Sequence, residues 1–295
     1  MNITENNLGI PPELYAKGHD TVLKAIEYVN NRFTTRSDRP IDFYAYWIGN
    51  NLSYKHTVVV ESFLATQDLS KCRFYIYTTE FIQPDNIMYK YLDNKTVINV
   101  RFDLRQELRK ANIGCPFYLY PLENHSLNPA LESDFVRLLL LHNYGGVYID
   151  FDVILLKDFA PLVDHEFVYQ WGSYPNENML NGAIMSLHER SKLAKALLRD
   201  VFNTHPIMGS LCWANDAYLR VKQQLPLLVF PGAIFNPEWQ VATEMLYPLT
   251  VHDRSTRLYE GSYAWHWHNR WNEEIMPGSK FDILDKQIKE RLKNK

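Results

Sequence analysis

The sequence holds only three cysteines in 295 residues, Cys72, Cys115 and Cys212, far apart and with no Cys-x-x-Cys pair. That excludes a disulfide framework and argues against a zinc knuckle, so the three read as buried thiols of a reducing compartment. No apolar run approaches the roughly 18 residues needed to span a bilayer. Met1 to Ile10 is mostly polar and lacks the apolar stretch of a signal peptide. The expectation is a cytoplasmic protein. Nor does one charge dominate: 31 Lys and Arg stand against 34 Asp and Glu, a formal net charge of -3. There is thus no electrostatic case for nucleic acid as a partner.

What the chain does have is an apolar fraction of 46% with many aromatics, ample for a buried core. A helical pattern over about 11–32 places Leu14, Val22, Ile26 and Val29 at near-helical spacing. A β-branched and aromatic run, Ile41 to Ile48, ends at Gly49-Asn50 and reads as a buried strand closed by a turn. Helices over about 54–66 and before residue 96 alternate with strands at about 73–77 and 96–100. Later strands are expected near 167–171 and 183–187, and a helix over about 191–202. This alternation predicts an α/β fold on a mixed, mainly parallel sheet flanked by helices. No internal repeat, low-complexity tract or clear linker is visible, so one domain over 1–295 is expected. Residues 1–40 form a helical extension to it, and 225–295 a loop-rich region closing the site.

The sharpest local signal is a helix over 129–144. Asn128 suits the N-cap, Pro129 the first helical position, and Gly145 or Gly146 the left-handed stop. A short strand, Val147-Tyr148-Ile149, then delivers Asp150 and Asp152. If extended there, both carboxylates point to one face, and a tight turn lets them converge on a cation. Two hard oxygens plus phosphate oxygens suit Mn²⁺ or Mg²⁺. An isolated Asp-x-Asp is more often a solvated turn, but this one lies between two apolar runs, where solvated display is a poorer explanation.

The wider stretch, Ser133-Asp134-Phe135-Val136-Arg137 followed by Gly145-Gly146-Val147-Tyr148-Ile149-Asp150-Phe151-Asp152, resembles the signature of the DXD-containing sugar-binding-region glycosyltransferases. These include initiating mannosyltransferases, α-1,4-galactosyltransferases and, more distantly, clostridial glucosylating toxins. The match is dense over about twenty residues, with looser likeness at Tyr46-Trp47-Ile48-Gly49 and Trp265-His266-Trp267-His268. The resemblance implies a GT-A fold with a Rossmann-like sheet and a retaining, metal-dependent hexosyl transfer. Donor and acceptor do not carry over with it; a UDP-sugar is expected in preference to GDP-mannose because most relatives of this type use uridine, with a glycan or lipid-linked glycan as acceptor.

It also assigns roles. Asp134 and Arg137 contact the donor's sugar and ribose; the alternative is a plain intrahelical salt bridge. Tyr148 lies near the donor or is a core aromatic. Trp47 stacks on the base or is a core tryptophan. His266, favoured over His268, joins Asp150 and Asp152 on the metal. Asn269 or Arg270 holds the diphosphate, and Trp271 covers the sugar as a lid. Asp216 is the candidate carboxylate near the anomeric centre, or simply the cap of a following helix. The small Asn181-Gly182 pair admits the sugar. Rival readings are a haloacid-dehalogenase-type phosphatase with Asp150 as nucleophile, a protein-modifying transferase, and a silent glycan-binding scaffold. The basic tail from Lys280 carries an apolar stripe, Phe281, Leu284, Ile288 and Leu292, suited either to an anionic membrane or to packing on the domain.

Overall fold

A computed structural model describes residues 9–114, 116, 118–171, 179–204, 213–241 and 259–295; Cys115 and Cys212 lie outside the described residues. The first elements among the described residues are a 3-10 turn, Pro12–Tyr15, and helix α1, His19–Arg32. The single helix expected over 11–32 is broken at Gly18, whose φ of 124° belongs to a region that favours glycine. Strand β1 (Ile41–Trp47), helix α2 (Tyr54–Thr66) and strand β2 (Cys72–Thr78) follow as the apolar pattern predicts. The helix expected before β3 (Val97–Arg101) is absent, and only a 3-10 turn, Tyr89–Tyr91, stands there. Pro84 lacks an N–H, and the Asn86 side chain accepts from the Met88 N–H at 2.8 Å, a local bond that competes with a helical ladder.

Helices α3 (Leu104–Ala111), α4 (Leu119–Glu123) and α5 (Pro129–Tyr144) lead to strand β4 (Gly146–Ile149). Asn128 caps α5 by accepting from Ala130 N–H at 2.9 Å. The Gly145-Gly146 stop is obligatory: both residues have positive φ, and a Cβ on Gly146 would lie 2.3 Å from the Asp42 carbonyl oxygen. Beyond it come β5 (Val153–Leu155), β6 (Phe167–Gln170), β7 (Leu180–Leu187), α6 (Lys192–Asn203), α7 (Trp213–Lys222), β8 (Leu228–Phe230), β9 (Ala264–His266) and α8 (Lys280–Lys293).

Among the described residues the main sheet has seven strands in the order β3-β2-β1-β4-β7-β6-β8. The first four are parallel, β7 runs against its neighbours, and β8 is parallel to β6. Strand β1 shows how the two faces are covered. Phe43 packs on Phe63 of α2, while Tyr44 meets Tyr144 of α5 on the other side. Because α5 runs antiparallel to the strand it feeds, its N-terminal turn lies beside the end of β4 that delivers the carboxylates. The short β5 pairs with β9, Val153 opposite His266, and so brings the C-terminal region onto the same edge.

The apolar stripe of α8 is core. Phe281, Leu284 and Ile288 are buried with Val58 of α2, Ile154, Trp265 and Trp267. At roughly 1.5–3 kcal/mol for each fully buried side chain, this docking fixes the tail on the domain. The stripe is therefore closed to a membrane, and only the outward lysines remain for that contact. Among the described residues, no helix is long and apolar enough to cross a membrane.

Candidate active site

Asp150 directly follows β4 at the middle of the sheet, and its N–H donates to the Ala183 carbonyl of β7 at 2.8 Å. Crevices beyond the carboxyl ends of such strands are where α/β sheets bind ligands. Arg137, buried on α5, donates from Nη2 to both Asp150 oxygens at 3.1 Å and lies 3.3 Å from Asp134 through Nη1. The pair expected at i and i+3 is therefore present, but as part of a triad with Asp150. Ser133 completes the helix face: its Oγ accepts from Arg137 at 3.1 Å and lies 3.0 Å from the Tyr148 hydroxyl.

Tyr148 is fully buried, its ring 5.0 Å from the Arg137 guanidinium carbon. It supports Arg137 from beneath. Gly182 has a similar office. A Cβ there would lie 2.3 Å from the Tyr218 hydroxyl and 2.9 Å from Arg137 Nη1. The space expected to admit a sugar is filled by those two side chains. The Asn181 side chain accepts from the Ala183 N–H at 2.7 Å.

Asp152 faces a different set of partners. Its Oδ2 lies 3.0 Å from His266 Nε2 and accepts the Asn269 N–H at 2.8 Å, while its carbonyl accepts the Trp267 N–H at 3.0 Å. On the far side of the imidazole, Nδ1 is 2.8 Å from the Tyr169 hydroxyl. With Nε2 turned to a carboxylate, Nδ1 is left to accept from that hydroxyl. His268 lies beside His266 but is turned differently. It stacks between His266 (ring centroids 4.1 Å apart) and Trp239 (3.9 Å), with φ at 57°.

The electrostatics separate the carboxyls. Burial raises Asp150, against the pull of Arg137. Asp152 lies below its ordinary value, because His266 and the Asn269 N–H outweigh burial. Burial raises Asp134 to about 6, with Arg137 opposing and Asp150 adding to the rise.

The rim is aromatic. Trp47, at the end of β1, meets His56 of α2 edge to face (4.3 Å, 81°) and Trp271 (5.3 Å, 63°). Trp271 stacks on His56 at 4.3 Å and 18°. His56 Nδ1 accepts from the Ser53 N–H at 2.9 Å, and burial lowers the imidazole to about 3. Among the described residues its Nε2 has no hydrogen-bond partner. Arg270 pairs with Glu273 at 3.0 Å. Asp216 is exposed in the first turn of α7 and accepts from the Asn215 side-chain amide at 3.2 Å.

The expected ligand set Asp150, Asp152, His266 and His268 is thus gathered in one region without forming a cage. Among the described residues, no group of three or more His, Cys, Asp or Glu is arranged to hold an ion. Each carboxylate has its own partner, Asp150 held by Arg137 and Asp152 by His266. The donor chemistry nonetheless fits a hard divalent cation: Asp134 and Asp150 share the single guanidinium of Arg137, and Asp152 beside His266 adds a third carboxylate, an excess of negative charge. His56, Tyr169, Tyr218 and Trp239 were not marked by the sequence; each reads as an ordinary core residue, and only Ser53 three residues before His56 hints at a cap.

Residues 37–169 match the model of the "Glycosyltransferase sugar-binding region containing DXD motif" family. An uncharacterized protein of Arabidopsis thaliana is 27% identical over 168 residues, 50% of this chain; the match spans 26% of that relative's length. Among solved structures, the apo glycosyltransferase GlyE of Streptococcus pneumoniae superposes with a TM-score of 0.51 at 10% identity, over 87% of this chain and 63% of that one. The PaToxG glycosyltransferase aligns with a TM-score of 0.47 at 17% identity, over 70% of this chain and 78% of that one. The fold is that of the GT-A glycosyltransferases. With its Asp150-Phe151-Asp152 motif at the end of β4, this chain is similar, over residues 37–169, to the DXD-containing sugar-binding region of the glycosyltransferases.

Proposed function

We propose that the protein is a retaining hexosyltransferase that takes a sugar from a nucleotide sugar, UDP-linked in preference to GDP-mannose. The acceptor is a glycan or lipid-linked glycan, in the synthesis of a surface polysaccharide or oligosaccharide. The observation that carries the reading is the excess of buried carboxylate around Arg137 at the end of β4, set against the His266 pair. Mn²⁺ or Mg²⁺ would be held by Asp150, Asp152 and His266, with Tyr169 orienting the imidazole from behind. The chemistry such an ion supplies is neutralisation of charge on the departing diphosphate.

The chain's own groups divide the rest. Arg137 and Asp134 hold hydroxyls of the sugar and ribose, Trp47 offers an indole face to the base, and Asn269 and Arg270 flank the diphosphate. Trp271 closes over the site, which requires it to leave His56. Asp216 is the carboxylate proposed near the anomeric carbon, and retention rests on the family likeness. The cytoplasm, at the inner face of a membrane, suits such a reaction.

Incubation with UDP- and GDP-hexoses and Mn²⁺, followed by NMR of the released sugar, tests this. Hydrolysis of one donor with retained anomeric configuration is expected. Inverted product, or no turnover of any donor by folded protein, contradicts it.

A further inference from the structure

Lys55 is the second residue of α2, where the unpaired N–H groups of a helix start disfavour a cation. Its side chain is nevertheless buried, with 8% of the residue exposed. The reason lies across the rim. Nζ donates to the main-chain carbonyls of Arg270 at 2.6 Å and Trp271 at 2.9 Å, and to that of Glu273. An ammonium has three N–H donors, and all three are taken by one short segment.

That segment is the one whose Asn269 N–H reaches Asp152 and whose Trp271 ring lies on His56. The Glu273 N–H donates back to the Arg270 carbonyl at 3.3 Å, so the three acceptors belong to a single turn. The other end of the link is equally fixed. Ser53 and His56 form a reciprocal cap at the start of α2, which sets Lys55 in place relative to Trp47. Charge-assisted bonds from one rigid helix start thus gather a turn that, among the described residues, has no strand partner of its own.

We propose that Lys55 is the positioning residue of the 269–273 turn, fixing the main chain that presents Asn269 to Asp152 and Trp271 to the aromatic rim. Its effect on a nucleotide rests on the donor-site reading above; its effect on the turn does not.

Lys55→Met keeps the stem and removes every donor, while Lys55→Gln keeps an amide. Hydrogen–deuterium exchange on ligand-free protein and calorimetric titration with UDP and GDP in Mn²⁺ provide two separate readouts. In Lys55→Met the amides of 268–273 are expected to lose about tenfold or more in protection, with β1 and α5 unchanged. The Kd of the nucleotide bound by wild type is expected to rise about tenfold, with Lys55→Gln between. Unchanged protection of the turn in both variants overturns the proposal, as does a loss spread evenly over β1 and α5. If Lys55→Met does not fold, the same criteria apply to Lys55→Gln. Loosening of the turn with unchanged affinity overturns its link to the nucleotide. Should wild type bind neither nucleotide, the donor-site reading fails, and exchange alone decides the role of Lys55.

Discussion

Asp150 and Asp152 are separated by a single residue, yet burial pushes the first carboxyl up while His266 and the Asn269 N–H hold the second down. Asp150 belongs to the helix side of the site: its partner Arg137 comes from α5, thirteen residues earlier and within the same motif. Asp152 belongs to the C-terminal side: His266 and Asn269 arrive from more than a hundred residues away, carried by the β5–β9 pairing. One half of the site is prearranged by local sequence; the other exists only once the chain has closed on itself. The electrostatics follow. The helix half is a buried triad of two acids and one base, whereas the closing half is a carboxylate held by an imidazole and a main-chain N–H.

The largest expected break in this comparison is Arg137→Met. It would leave Asp134 and Asp150 facing each other with no guanidinium between them, and losing one partner of a buried ion pair costs about 3–5 kcal/mol. Thermal unfolding at pH 8 should show a drop of that order; a change below 1 kcal/mol (an order-of-magnitude bound) would mean the triad is solvated and weak.

Asp134→Asn should act in the opposite direction on stability. Its folded pKa of about 6 exceeds the ordinary 3.8. For a raised pKa the stabilising contribution is full below the unfolded value and is lost as pH rises through about 6. Above that pH the variant removes an ionised carboxyl from a net-negative triad. It should gain about 1–3 kcal/mol in chelator while losing nucleotide affinity. Unfolding measured from pH 4 to 8 (a range chosen to bracket the two values) should show a flatter dependence than wild type, and an unchanged slope would count against the triad's geometry.

The smallest effect sharpens the other half. Tyr169→Phe removes the hydroxyl behind His266 and should weaken Mn²⁺-dependent nucleotide binding about tenfold. Unchanged affinity in Mn²⁺ would place Tyr169 outside the metal's support.

This division also explains what could be read from the sequence. Helix α5, its Asn128 cap, the Gly145-Gly146 stop and the Asp134/Arg137 pair are local features, and they lie where the pattern put them. His266 is expected from the family resemblance at Trp265-His266-Trp267-His268, but its partner Tyr169 sits in an apolar strand and looks like core. Strands β5 and β9, of three residues each, are too short to show a period. The role of Lys55 depends on carbonyls 215 to 218 positions away, which no local pattern records. The helix expected before β3 failed for the opposite reason: Pro84 and Asn86 had a local preference that the broad alternation concealed.

The most direct test of the divided site is calorimetric binding of UDP and GDP, each with Mn²⁺ and again with chelator, to wild type and Asp152→Asn. One nucleotide should bind wild type only with metal, and Asp152→Asn should abolish that binding without unfolding the protein. Binding by Asp152→Asn equal to wild type, or no binding of either nucleotide to folded wild type, would contradict a donor site at the Asp150-Phe151-Asp152 motif.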